Sequence, residues 1–166
     1  MALAVTHILV VIVILDLFRH YVFGKKKFPR YLLVVGGIAG LAPDLDIPLG
    51  WILSLLTGKS LNIHGLFTHS ILFALLFLLI GVFFHYRNNM KWAKILYVIA
   101  FGWTFHLFLD CLFNEYATFL WPFSINTKIF CPSKELLGNY RASVDAVILV
   151  LWLIHEETHN YIKDYF

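Results

Sequence analysis

Residues 31–56 read YLLVVGGIAGLAPDLDIPLGWILSLL. An apolar run from Tyr31 to Ala42 is stopped by Pro43, and a second run from Ile47 to Leu56 resumes it. Twelve helical residues rise only about 18 Å, against a bilayer hydrocarbon core of about 30 Å. Either flanking residues extend this span, or Asp44 and Asp46 lie at membrane depth, where non-helical backbone must be shielded by protein or line a wet cavity. Both readings predict a broken membrane span with two carboxylates at the break. Ionisable side chains are costly in hydrocarbon, so their presence there marks a functional site.

The rest of the chain has the same character. Of 166 residues, 60% are hydrophobic and 14% charged, whereas soluble domains carry roughly 25% charged residues. The sequence therefore predicts an all-α, polytopic membrane helix bundle with about five transmembrane helices, the second broken. Besides the broken span, the apolar runs are Ala2 to Phe23, Leu66 to Phe84, Trp92 to Phe113 and Val144 to Ile154. The first run lacks a basic leader and a small-residue cleavage site, so it reads as a retained helix, not a signal peptide. Residues 1–166 form a single integral membrane domain, within which 114–140 is a long loop or lid. The net charge of +3 is too small to indicate a nucleic-acid partner. Cys111 reads as a small buried hydrophobe, and Cys131, in the long polar loop, as free or paired.

Basic residues set the orientation. Lys25, Lys26, Lys27 and Arg30 follow the first span, and Arg87, Lys91 and Lys94 separate the third from the fourth. The other connections are sparser, with Lys59 in one and Lys128, Lys134 and Arg141 spread along the other. The positive-inside rule then predicts a plasma or inner membrane protein with its amino terminus outside and its carboxyl terminus in the cytoplasm.

That topology gathers residues of metal-ligand type at one depth near the extracytoplasmic face: His7, Asp44, Asp46, His64, His69, His106, Asp110 and Asp145. His106 and Asp110 are spaced i, i+4 and share a helix face. Asp44 and Asp46, two apart, align on one side if the chain after Pro43 is extended. The four aspartates carry a formal charge of about −4 that low dielectric requires to be neutralised; one divalent ion leaves about −2 and two balance it. Mixed histidine and carboxylate donors suit zinc, manganese or iron better than calcium. The sequence thus predicts a site for divalent metal, zinc foremost and two or more ions, held by His7, Asp44, His69, His106, Asp110 and Asp145. Asp46 and His64 are candidate catalytic bases.

Taken in order, Thr6-His7, Pro43 to Asp46, His64 to Ser70, His106 to Asp110, Trp121-Pro122-Phe123 and Asp145 resemble the YdjM-like family of membrane-bound metal-dependent hydrolases. The resemblance covers nearly the whole chain. It implies a compact helical membrane protein with a hydrolase site, and a suggested similarity to zinc-dependent phospholipases would favour phosphoesters. One departure stands out: the family usually has Arg and Gly after the first histidine of the third motif, where this chain has Gly65 and Leu66. An arginine there could clamp a phosphate through paired hydrogen bonds. Arg141, one turn before Asp145, is the candidate substitute, unless it forms a salt bridge with Asp145. Arg141 and Trp121 are the candidate substrate contacts.

Three functions follow as expectations. The first is hydrolysis of phosphoesters or lipid-linked phosphates, with membrane lipid as partner and an amphiphilic substrate. The second is a non-catalytic metal-binding sensor, transporter or scaffold. The third is an intramembrane protease using His155-Glu156-Glu157-Thr158-His159, an H-E-x-x-H pattern. That pattern falls at the opposite, cytoplasmic end and reads as a charged, solvated helix terminus. Asp16 lies about 180° around the helix from His7 and reads as an intrahelical partner of Arg19 or His20.

Overall fold

A computed structural model of the chain describes residues 4–61, 63–65, 67–112, 120, 121, 131 and 141–159, with backbone alone at 141 and 142. The described residues are helical with no strand. Helix α1 (Ala4–Phe18) runs on into a π-helical turn, Arg19–Phe23. Then follow α2 (Tyr31–Leu41), a 3-10 turn (Ala42–Leu45), α3 (Asp46–Thr57), a short 3-10 turn (Phe67–His69), α4 (Ile71–Tyr86), α5 (Met90–Leu112) and α6 (Arg141–Thr158).

The break in the second span is local. Pro43 has no N–H for Ala39, so the Ala39 carbonyl accepts from Ala42 instead and the turn tightens to 3-10. Helical winding then resumes, and Tyr31–Thr57 forms one helical run of 27 residues. Asp44 and Asp46 fall near the middle of this run, and the extended chain expected after Pro43 is replaced by helix. Ala4–Phe23, Tyr31–Thr57 and Met90–Leu112 are long and apolar enough to cross a membrane, and Ile71–Tyr86 is a shorter apolar helix. The fifth expected span, α6, is 18 residues long but contains Arg141, Asp145, Glu156 and Glu157. Helix α4 starts later than the apolar run suggests because Ser70 caps it, its Oγ accepting from Leu72 N–H at 3.3 Å.

Helix α5 lies between α2 and α4, with α1 packed on α2 and α6 on α1. Small residues permit the close approach. A Cβ on Gly102 of α5 would come within 2.8 Å of the Gly36 carbonyl and 3.0 Å of the Gly40 nitrogen. A Cβ on Gly40 would come within 2.7 Å of the His7 carbonyl. Gly36 and Gly40 form a G-x-x-x-G pair, the spacing by which membrane helices bring their backbones together. Val11, Leu15, Leu32, Leu33 and Val98 fill the α1–α2–α5 core; Ala74, Trp103 and Leu107 fill the α4–α5 interface. The exterior is apolar as well: Leu55 is 84% exposed and Leu79 65%. An oily exterior around buried histidines and aspartates fits a chain whose solvent is lipid.

Cys111 and Cys131 form a disulfide, so Cys131 is paired and Cys111, half-buried, is not the small buried hydrophobe expected of it. It ties the end of α5 to residue 131, one position beyond Asp110.

Candidate metal centre

The glycine contacts hold α1, α2 and α5 close enough for His7, the Pro43 turn and His106 to meet. His69 comes from the 3-10 turn ahead of α4, anchored where Trp103 Nε1 donates to the Thr68 carbonyl at 2.9 Å. His7, His69 and His106 are buried.

Four donor atoms converge. His106 Nε2 lies 3.3 Å from His69 Nε2, 3.0 Å from Asp110 Oδ2 and 3.5 Å from Asp44 Oδ1. His69 Nε2 lies 3.5 Å from both Asp44 Oδ1 and Asp110 Oδ2. Tetrahedral zinc with bonds of about 2.0–2.1 Å has ligand-to-ligand edges of roughly 3.3 Å, so these separations match the edges of a four-coordinate site. The protons agree. His106 Nδ1 donates to the Gly40 carbonyl at 2.7 Å, and His69 Nδ1 faces Asp46 Oδ2 at 3.3 Å. A neutral imidazole carries one N–H, so both Nε2 atoms are left as lone pairs facing each other and two carboxylates. A cation satisfies that arrangement, and histidine ligands are ordinarily oriented in this way by a carbonyl or carboxylate behind the ring.

Asp110 extends the site. While its Oδ2 faces His106 and His69, its Oδ1 lies 3.3 Å from His7 Nε2, and the His7 and His106 rings stack with centroids 4.0 Å apart. The donor atoms of His7, His106 and Asp110 lie within 4.8 Å of one another, as do those of Asp44, His64 and His69. Both groups are able to hold a metal ion.

Asp46 behaves differently from Asp44. The two do not share a side: Asp44 faces His69 Nε2, whereas Asp46 faces His69 Nδ1. The Asp46 carboxylate also accepts from His64 Nδ1 at 2.9 Å, from Gly65 N–H at 3.0 Å and from Thr68 Oγ1 at 2.7 Å. These bonds engage both its oxygens and make it an orienting group for two histidines. Gly65 adopts a left-handed φ of 77°, a conformation that favours glycine.

With these motifs assembled in one place, the sequence model of the YdjM inner membrane protein family matches residues 1–158. The chain belongs to that family. It is therefore an inner membrane protein of YdjM type, with histidine and aspartate groups able to hold a metal ion. No match is found among curated proteins or among solved structures.

Other predicted residues stand apart from this YdjM centre. Asp145 is half-buried on α6, its Oδ1 buried and without a hydrogen bond, and among the described residues it joins no metal-capable group. The Arg141 side chain and the expected 114–140 lid, apart from residues 120, 121 and 131, lie outside the described residues. Trp121 sits close by: its carbonyl accepts from Ser70 Oγ at 2.8 Å and its ring faces Phe67.

The H-E-x-x-H segment is not a solvated terminus throughout. Glu156 is 1% exposed, and its Oε1 lies 3.9 Å from His20 Nδ1. Asp16 lies 3.4 Å from Arg19 and 3.5 Å from His20, as the intrahelical reading expects, and it also accepts from Trp152 Nε1 at 3.1 Å. Tyr21 Oη lies 2.7 Å from His155 Nε2. Asp16, His20 and Glu156 form a third metal-capable group by distance. However, Arg19 Nη1 lies 3.1 Å from His20 Nε2. Because a guanidinium only donates, Nε2 is the acceptor and Nδ1 carries the proton toward the carboxylates. Asp16 is thus engaged by Arg19, His20 and Trp152, and the cluster fastens α6 to α1. Trp152 and Glu156, spaced i, i+4, are the sequence signal for it.

Proposed function

We propose that this protein is a membrane-embedded, metal-dependent hydrolase of phosphoesters, with its site at the extracytoplasmic face. The observation that carries the reading is the convergence of His69 Nε2, His106 Nε2, Asp44 Oδ1 and Asp110 Oδ2 at tetrahedral edge distances, with each ring met at its Nδ1 by an oxygen behind it. A divalent ion bound there, zinc foremost, would polarise a phosphoryl oxygen and lower the pKa of a bound water toward about 7. Asp110, facing His7 with one oxygen and His106 with the other, supports a second ion beside the first.

The chain's own residues supply the rest. His64 donates from Nδ1 to Asp46, so Nε2 is the basic atom of its neutral ring. Its side chain is 30% exposed while those of His69 and His106 are at most 5%, which suits it to take the proton of an attacking water. Asp46 holds that ring, and the Trp121 segment flanks the approach. Extracytoplasmic placement rests on the basic loops and on the disulfide beside Asp110, since such bonds persist in oxidising compartments.

The second reading is a non-catalytic metal-binding membrane protein, which the metal ligands alone would fit equally well; the accessible His64–Asp46 pair favours the hydrolase. To separate them, metal content and turnover of a phosphoester panel are measured for wild type, His64→Ala and Asp110→Ala. The hydrolase reading expects Asp110→Ala to lose metal and turnover, and His64→Ala to keep metal but lose turnover. Full metal with no turnover by wild type would leave the binding-protein reading.

A further inference from the structure

A groove runs from the Asp46–His64 pair beside the metal centre, formed by α3 and the chain that returns along it. Gly58 ends α3 in a left-handed conformation, φ 66°, with its N–H on the Ser54 carbonyl. The chain then doubles back. Leu61 N–H donates to Ser54 Oγ at 2.9 Å. Gly50 lies so close to Ile63 that a Cβ there would be 3.2 Å from Ile63 Cγ1. His64 arrives at Asp46. Three contacts at successive turns of α3 thus set a second wall parallel to the helix. The groove has a volume of about 710 Å³, within the usual range for small-molecule sites. Its length follows from α3: 12 residues rise about 18 Å.

Its chemistry changes along that length. Asp46 and His64 stand at one end. The wall between is apolar, with Ile47, Trp51 and Leu55, and Trp51 and Leu55 are 69% and 84% exposed. Leu49, Ile52 and Leu56 on the same helix are exposed too, so the groove's apolar edge is continuous with the lipid-facing surface. Lys59 lines the other end. A trough of about 18 Å, largely apolar and ending at the Asp46–His64 pair beside the metal centre, is longer than a small aqueous phosphate needs.

We propose that this groove receives the hydrocarbon chain of an amphiphilic phosphoester whose phosphoryl group lies at the His/Asp centre, entering from the bilayer past Trp51 and Leu55. The proposal rests on the hydrolase reading for the word phosphoester, and on the groove alone for the chain.

Binding is tested without turnover. Metal-loaded protein in detergent is titrated with hexadecylphosphonate and with methylphosphonate, following tryptophan fluorescence in wild type, Trp51→Phe and Leu55→Arg. Leu55 is far from the core, so a charge there leaves the fold and the metal content in place. The long-chain phosphonate should bind at least about tenfold more tightly than the short one. Trp51→Phe should remove most of the fluorescence change, and Leu55→Arg should erase the chain-length preference. Equal affinity for both phosphonates, a preference that survives Leu55→Arg, or binding of an apolar peptide in place of the phosphonate overturns the groove assignment. Selective binding of hexadecylphosphonate without hydrolysis of any phosphoester upholds the groove and defeats the hydrolase reading. Hydrolysis indifferent to chain length does the reverse.

Discussion

Asp46 and Asp44 are two residues apart in the sequence, yet they take different positions around one imidazole. Asp44 faces His69 Nε2 and Asp46 faces Nδ1. Replacing Asp46 by Asn removes the charge behind His69 and His64 while keeping a polar group for Thr68. Metal affinity is expected to fall about 10- to 100-fold, the usual effect of losing an orienting partner, against near-complete loss for His106→Ala; equilibrium dialysis against a metal buffer measures both. The ligand residues were legible in the sequence because a buried His or Asp in so apolar a chain has few other reasons to be there. The division between ligand and orienting group was not, because it depends on which ring nitrogen each oxygen meets. Gly40 also escaped notice, since its contribution to His106 is a carbonyl that every residue possesses.

At the scale of elements, the centre exists because α1, α2 and α5 approach at backbone distance. Gly102→Ala would drive a methyl into the Gly36 carbonyl and the Gly40 nitrogen, neither of which can move without its helix. A destabilisation of about 1–3 kcal/mol is expected, read as a lower midpoint of thermal unfolding in detergent, with a parallel loss of metal because Gly40 orients His106. The helices were readable from hydropathy, and the broken second span from Pro43. Harder to read was how that break is made. A proline stop suggested extended chain, whereas i→i+3 hydrogen bonds, Ala42 to Ala39 and Asp46 to Pro43, let helix continue through it. Likewise, H-E-x-x-H suggested either a metal motif or a wet terminus, and the burial of Glu156 against α1 required knowing which helix α6 packs upon.

For the whole molecule, the metal centre and the Glu156 network lie toward opposite ends of α1, since His7 and His20 are separated by 13 residues, about 20 Å of helix. The topology proposed from the basic loops puts the first of these outside. A single cysteine introduced at Lys59, in a Cys111→Ser, Cys131→Ser background, should react with a membrane-impermeant thiol reagent in intact cells. One at Lys26 should react only after the membrane is opened, and the reverse pattern would invert the topology. Pairing of Cys111 with Cys131 was beyond the sequence, because 20 residues of separation leave the distance between them unset. The opposed ends also give the most direct test of the central claim, which is the metal content per chain of purified wild type, His106→Ala and Glu156→Gln by elemental analysis. One to two equivalents are expected in wild type, retained in Glu156→Gln and lost in His106→Ala; metal kept by His106→Ala but lost from Glu156→Gln would contradict the assignment.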